Sequence, residues 1–112
     1  MTETYIEKRR YPRVKAPIYY RPVSSFREKR KVVDVSLGGM RINTHDYLEE
    51  ENLYPLEILL PNNRSLIVNT QVRWKKALPP GSDANYDVGL EFINPSPFIK
   101  YHLNLLIKQT TS

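Results

Sequence analysis

The strongest constraint on the fold is an alternation of apolar and polar residues near the centre of the chain. From residue 66 to residue 75, one set of alternate side chains is largely apolar: Leu66, Val68, Thr70, Val72 and Trp74. The intervening set is largely polar: Ile67, Asn69, Gln71, Arg73 and Lys75. Because successive side chains of a β-strand point to opposite faces of a sheet, this pattern predicts a strand with one buried face.

Five further segments have the composition or the alternation of short strands. The predicted strands span residues 18–23, 31–35, 40–44, 56–60, 66–75 and 86–92. Residues 31–44 are expected to form a hairpin around Gly38 and Gly39. Six short strands with tight connections favour a small antiparallel barrel.

The end of the chain has a different periodicity. Four apolar residues recur there at helical spacing: Ile99, Leu103, Leu106 and Ile107. Ser96 is a candidate N-cap and Pro97 suits the first helical position. We therefore expect a mainly all-β fold, a six-stranded antiparallel β-barrel with a C-terminal α-helix, in one domain. Residues 1–17 form a basic N-terminal arm, and residues 18–112 form the barrel and helix.

Positive charge is concentrated at the N-terminus. Residues 1–31 contain ten of the 17 Lys and Arg residues against three Glu residues, a balance of +7. The remaining residues contain seven basic and nine acidic side chains, a balance of −2. This distribution indicates an anion-binding arm, with phosphate as the expected anion. A solvated tail that keeps the protein soluble is the alternative interpretation.

Several classes of protein are disfavoured by composition. The chain has no cysteine, so disulfides and Cys-based metal sites are excluded. No stretch approaches the ~20 apolar residues of a membrane span, and the first ten residues lack the apolar region of a signal peptide. His45 and His102 are far apart, and no nucleophile and base can be paired. We expect a cytosolic, non-enzymatic protein without a metal or cofactor.

Two motifs point to a ligand. Arg9 and Arg13 form an R-x-x-x-R motif, and a guanidinium matches a phosphate bidentately and stacks on a purine. Asp34, Ser36 and Gly39 form a D-x-S-x-x-G motif at a predicted turn. The acid and hydroxyl can bond a base edge, and glycine allows close approach to the backbone. Without the arginines, a turn that stabilises the hairpin would be the preferred interpretation of this second motif.

In this order, the two motifs resemble those of the PilZ domain family of bacterial cyclic di-GMP (c-di-GMP) receptors. The resemblance extends through Val72-Arg73-Trp74 and Asp87–Phe92, and it covers roughly residues 8–107. It implies a six-stranded barrel with a C-terminal helix and an arginine arm that wraps over the ligand. It also implies control of motility, biofilm or polysaccharide.

The resemblance also implies roles for individual residues. Arg9 and Arg13 would contact phosphate and guanine, while the D-x-S-x-x-G residues Asp34, Ser36 and Gly39 would line the guanine side. Lys8 occupies the position that influences whether one ligand or a stacked pair is bound.

Three further residues have open assignments. Trp74 is either a platform that stacks on guanine or a core residue, because strict alternation places it with the buried set. Arg10 and Arg41 either add positive potential near the phosphates or are solvated surface charges.

The leading hypothesis is a cyclic di-GMP receptor that acts on an unidentified downstream protein when its arm closes over the ligand. A second hypothesis is a small barrel that binds single-stranded nucleic acid, which the −2 balance of the barrel disfavours. A third is a PilZ-like interaction module that binds no nucleotide.

Overall fold

The computed structural model describes residues 11–23 and 28–111. The predicted ligand residues Lys8, Arg9 and Arg10 lie outside these ranges. Within them, the chain forms one curled antiparallel sheet and one C-terminal helix. No helix in this part of the chain is long and apolar enough to cross a membrane.

Seven strands pair in the spatial order β2-β1-β5-β6-β7-β4-β3. The elements are β1 (Tyr19–Pro22), β2 (Arg30–Lys31), β3 (Asp34–Val35), β4 (Gly39–Thr44), β5 (Leu53–Leu59), β6 (Ser65–Ala77), β7 (Tyr86–Phe92) and α1 (Pro97–Thr111).

The two edge strands, β2 and β3, are separated by only Val32 and Val33. The Val32 N–H donates to the Ile18 carbonyl at 3.0 Å, and the Val33 N–H donates to the Arg41 carbonyl at 2.9 Å. Both edges of the sheet therefore meet in one short segment, which curls the sheet into a barrel-like shape. The predicted fold class is confirmed, with seven strands instead of six because predicted strand 31–35 is divided between the two edges.

The core lies inside the curled sheet and beneath the helix. The alternate residues of β6 from Leu66 to Val72 are buried, as the sequence pattern predicts. Helix α1 buries Leu103, Leu106 and Ile107 against the same core. The Ile99 N–H donates to the Ser96 hydroxyl at 3.2 Å, so the predicted N-cap of this helix is confirmed.

Residues 11–17 lead into the barrel along β3. The backbone N–H groups of Val14 and Val35 each donate to the other residue's carbonyl at 2.9 Å. Val14 and Ala16 are buried in the core, whereas Arg13 is exposed. This pairing fixes the backbone beside Arg13 and directs the Arg13 side chain to the outside of the sheet.

Candidate ligand-binding cleft

A cleft of about 280 Å³ lies on the outer face of β4, β6 and β7, beside the turn that joins β3 to β4. Its lining residues are Arg13, Ser36, Gly38, Gly39, Met40, Arg41, Arg73, Trp74, Gly89, Leu90 and Glu91. The lining combines three arginines, an exposed acid, an indole and a glycine-rich backbone. This combination can bind a small anionic ligand that carries a flat ring.

Strand register explains how these residues meet. Gly89 of β7 pairs with Arg41 of β4 on one side and with Trp74 of β6 on the other. Gly39 of β4 pairs with Glu91 of β7. These residues share the outer face because their neighbours in sequence, such as Leu90, point into the core. The two glycines form a flat floor, and the longer side chains form its walls.

Neither glycine of the floor leaves room for a side chain. A methyl group at Gly39 would overlap the backbone carbonyl of Leu90, because β4 starts very close to β7. A methyl group at Gly89 would overlap the indole of Trp74, which lies directly over the Gly89 backbone. The absence of these two side chains therefore sets the depth of the cleft and the position of the indole.

A β-bulge brings Trp74 to this face. The β6–β7 register shifts between Val72, which pairs with Leu90, and Trp74, which pairs with Gly89. The extra residue, Arg73, interrupts the alternation. Trp74 is half-buried at the cleft instead of lying in the core, so the core interpretation of this residue is wrong.

The Ser36 hydroxyl shapes the turn at the other side of the cleft. It accepts hydrogen bonds from the Gly38 N–H at 3.1 Å and from the Gly39 N–H at 3.3 Å. The Ser36 N–H donates to the Gly39 carbonyl at 2.8 Å. The serine therefore stabilises the hairpin turn, as the structural interpretation of the motif requires, and it also borders the cleft.

Arg41 is held by a buried carboxylate. Its Nε donates to Asp87 Oδ1 at 2.9 Å and its Nη2 donates to Asp87 Oδ2 at 2.8 Å. The Asp87 side chain is 2% exposed, whereas that of Arg41 is 39% exposed. These hydrogen bonds raise the pKa of the Arg41 guanidinium above its ordinary value, and the nearby charge of Asp34 adds to this effect. Arg41 therefore lines the cleft as the partly exposed half of an ion pair with a buried carboxylate.

The other charged side chains of the cleft have different surroundings. Arg73 Nη1 lies 3.0 Å from Glu91 Oε1, and both side chains are well exposed. Within residues 11–23 and 28–111, no hydrogen bond or ion pair engages the Arg13 guanidinium. Arg13 is therefore available to an anionic ligand.

The cleft gathers part of the predicted site. Arg13, Ser36, Gly39 and Trp74 line it together. Asp34 does not line it, but pairs with Arg41 at the neighbouring edge of the sheet. In the part of the chain that the structure describes, no group of three or more His, Cys, Asp or Glu side chains could hold a metal ion.

Sequence reasoning did not assign several of the lining residues to the site, among them Arg73, Gly89 and Glu91. A signal for two of them was present, because the alternation that buries Val88 and Leu90 places Gly89 and Glu91 on the opposite face. A signal for Arg73 was present as well, because it belongs to the polar set of the β6 alternation, whereas the bulge changes the face of Trp74.

Comparison with known proteins identifies the family and its fold. The sequence profile of the PilZ domain matches residues 7–109. None of the curated protein sequences matches the chain. Several solved structures are similar in fold. Escherichia coli YcgR in complex with c-di-GMP has a TM-score of 0.69 and 20% identity, over 91% of this chain and 45% of that chain.

The K. pneumonia MrkH–c-di-GMP complex has a TM-score of 0.72 and 16% identity, over 90% of this chain and 51% of that one. The Bacillus subtilis inhibitor of motility, MotI/DgrA, has a TM-score of 0.68 and 18% identity, over 93% of this chain and 51% of that one. This chain thus spans about half the length of these three proteins. Since the PilZ profile matches nearly the whole sequence, the chain belongs to the PilZ domain family.

Proposed function

We propose that this protein is a cyclic di-GMP receptor that binds its ligand in the cleft between Arg13 and Trp74. The observation that carries the proposal is the meeting of Arg13, Ser36, Gly39 and Trp74 around one glycine floor. Arg13, the Ser36–Gly39 turn and Trp74 are distant in sequence, yet they line one cleft, which supports their assignment to one ligand site.

Similar structures support the identity of the ligand. YcgR and MrkH, which share the fold of this chain, are both described as complexes with c-di-GMP. Membership of the PilZ family, which consists of cyclic di-GMP receptors and adaptors, supports binding instead of catalysis.

The charge of the cleft explains why the arm is needed. Cyclic di-GMP carries two phosphates. Three guanidiniums line the cleft, but the carboxylates of Asp87 and Glu91 pair with two of them, which leaves a balance of +1 from Arg13. Lys8, Arg9 and Arg10 can supply the remaining positive charge.

We propose that Arg9 and Arg13 contact the phosphates and a guanine, that Arg10 adds positive potential, and that Lys8 sets the ligand stoichiometry.

The size of the cleft also supports a contribution of the arm to the ligand site. Its volume of about 280 Å³ is near the lower end of the range for small-molecule sites, ~300–1,000 Å³. The barrel therefore provides a floor and one wall for a dinucleotide, and the arm closes over the exposed side. Trp74 stacks on one guanine, while Ser36, Gly39 and the nearby Asp34 line the guanine side.

Closure of the arm also changes a surface that a protein partner can use. The Tyr11 ring lies against Gly38 at the edge of the cleft. The same tyrosine lines a groove with Leu37 and with Tyr101 of α1, whose side chain is 63% exposed. Movement of the arm at Arg13 would carry Tyr11 with it and reshape this groove. We propose that a downstream cytosolic protein reads this change, in control of motility or biofilm formation.

The contribution of the arm can be tested with Arg13→Ala. Loss of one charge-assisted hydrogen bond costs about 1.5–3 kcal/mol, so the affinity for cyclic di-GMP should fall by roughly tenfold to a hundredfold. Arg9→Ala should have an effect of the same size. Isothermal titration calorimetry on the purified chain measures both.

Arg64→Ala is the matched control, because Arg64 is exposed in the turn between β5 and β6 and does not line the cleft. Its affinity for cyclic di-GMP should equal that of the wild type. Equal losses in Arg13→Ala and Arg64→Ala would reduce the role of Arg13 to general positive charge. Tight oligonucleotide binding that cyclic di-GMP does not compete with would favour the nucleic-acid hypothesis instead.

A further inference from the structure

We propose that Glu91 selects guanine over adenine by accepting hydrogen bonds from the base that stacks on Trp74. This inference rests on the proposed function and assigns a specificity-determining residue within the same cleft. It concerns a residue outside both sequence motifs.

The presence of a carboxylate in this cleft requires an explanation. Glu91 lines the cleft together with Arg13, which faces the space proposed for the phosphates. A carboxylate near two phosphates weakens their binding by repulsion between like charges. The ion pair with Arg73 offsets part of that cost, and contact between the carboxylate and a hydrogen-bond donor of the ligand would turn the remainder into a gain.

The position of Glu91 suits contact with a base edge. Gly89 and Glu91 lie on the same face of β7, two residues and therefore about 7 Å apart. The Trp74 indole covers Gly89, at one end of the glycine floor. Gly39 forms the other end of this floor and pairs with Glu91. A base stacked on the indole therefore lies beside Gly39 and close to Glu91. The edge of that base can then face the Glu91 carboxylate.

Arg73 orients this carboxylate. Its Nη1 lies 3.0 Å from Glu91 Oε1, which leaves Oε2 and the second lone pair of Oε1 for a ligand. The side chains of Arg73 and Glu91 are 63% and 43% exposed, so this ion pair adds little to stability. Regular alternation after Val72 places Arg73 on the outer face, and the bulge brings Trp74 to that same face, so the indole and the partner of Glu91 are neighbours there.

The chemistry of the two purines gives the selectivity. The Watson–Crick edge of guanine presents two adjacent donors, N1–H and the N2 amino group. The corresponding edge of adenine presents the N1 lone pair beside its N6 amino group. Because an ionised carboxylate only accepts hydrogen bonds, it pairs with guanine twice and repels adenine N1.

Glu91→Gln tests this assignment with cyclic di-GMP and cyclic di-AMP as probes in calorimetric titrations. The amide oxygen of glutamine can still accept from Arg73, but its NH₂ group opposes guanine N1–H and suits adenine N1. The affinity for cyclic di-GMP should fall about tenfold or more, and the preference over cyclic di-AMP should shrink by a larger factor.

Glu57→Gln is the matched control, because Glu57 also forms an ion pair, with Arg21 at 2.8 Å, and lies outside the cleft. It should leave both affinities unchanged. Stronger binding of both dinucleotides by Glu91→Gln would show that Glu91 only repels phosphate, and an unchanged preference for guanine would equally overturn the assignment. Failure of the wild type to bind cyclic di-GMP would overturn the proposed function together with this inference.

Discussion

Arg41→Met is expected to lower the free energy of unfolding by about 3 kcal/mol, because it leaves the buried carboxylate of Asp87 without its partner. The two hydrogen bonds of 2.8 and 2.9 Å from Arg41 are the side-chain contacts that the structure gives to Asp87. Methionine preserves much of the apolar stem of arginine, so the loss of stability measures the effect of removing the guanidinium charge. Urea denaturation of the wild type and the variant measures the difference.

Arg21→Met is a closely matched control. The Arg21 and Arg41 side chains are both 39% exposed, but the partner of Arg21, Glu57, is 23% exposed whereas Asp87 is 2% exposed. In the control, the free energy of unfolding should fall by less than about 1 kcal/mol, because ion pairs near the surface contribute little to stability. Adding Asp87→Asn to Arg41→Met should restore part of the lost stability. Equal losses in the two single variants would contradict the importance of the buried carboxylate.

Gly39→Ala is expected to destabilise the barrel by about 1–3 kcal/mol through overpacking between β4 and β7. The new methyl group would overlap the Leu90 carbonyl, which is backbone and cannot rotate away. Relief requires β4 and β7 to separate at Gly39–Glu91, where the sheet forms the floor of the cleft. The midpoint of urea denaturation should therefore fall, and binding of cyclic di-GMP should weaken as well.

Gly38→Ala is the control at the neighbouring position. A methyl group there would approach the Tyr11 ring at 3.0 Å, and this half-exposed side chain can move. The loss of stability should be clearly smaller than in Gly39→Ala. If the two alanine variants unfold at the same urea concentration as the wild type, the close approach of β4 and β7 does not require glycine.

The periodic parts of the fold could be predicted from sequence. The alternation from Leu66 to Val72 and from Val88 to Phe92 gives the buried faces of β6 and β7, because each residue of a regular strand obeys the same rule. The helix was predictable from local chemistry as well, since the N-cap at Ser96 depends on neighbours within one turn.

Departures from periodicity could not be predicted in this way. The bulge before Trp74 arises from pairing with β7, so no local signal in β6 reveals it. The division of residues 31–35 between two edges depends on closure of the whole sheet. Arg41 and Asp87 meet only because Asn43, two residues after Arg41, pairs with Asp87 across the β4–β7 ladder.

The candidate site could be predicted from the sequence only in part. The D-x-S-x-x-G motif predicted that its glycine lets a ligand approach the backbone, and this stays a prediction, whereas the close approach that the structure shows at Gly39 is that of the Leu90 backbone. The alternative interpretation of the motif, a turn that stabilises the hairpin, agrees with the hydrogen bonds from the Gly38 and Gly39 N–H groups to the Ser36 hydroxyl, although the choice of these donors depends on the turn geometry. The roles of Arg9, Arg13 and Asp34 toward the ligand stay predictions.

The most direct test of the central claim is a titration of the wild-type chain with cyclic di-GMP, followed by tryptophan fluorescence. Trp74 is the single tryptophan of the chain and lies in the cleft, so its emission reports on this site. Stacking of a guanine on the indole should produce a saturable change at micromolar ligand, with no comparable change for GMP. Unchanged emission up to high micromolar cyclic di-GMP would contradict binding of the dinucleotide between Arg13 and Trp74.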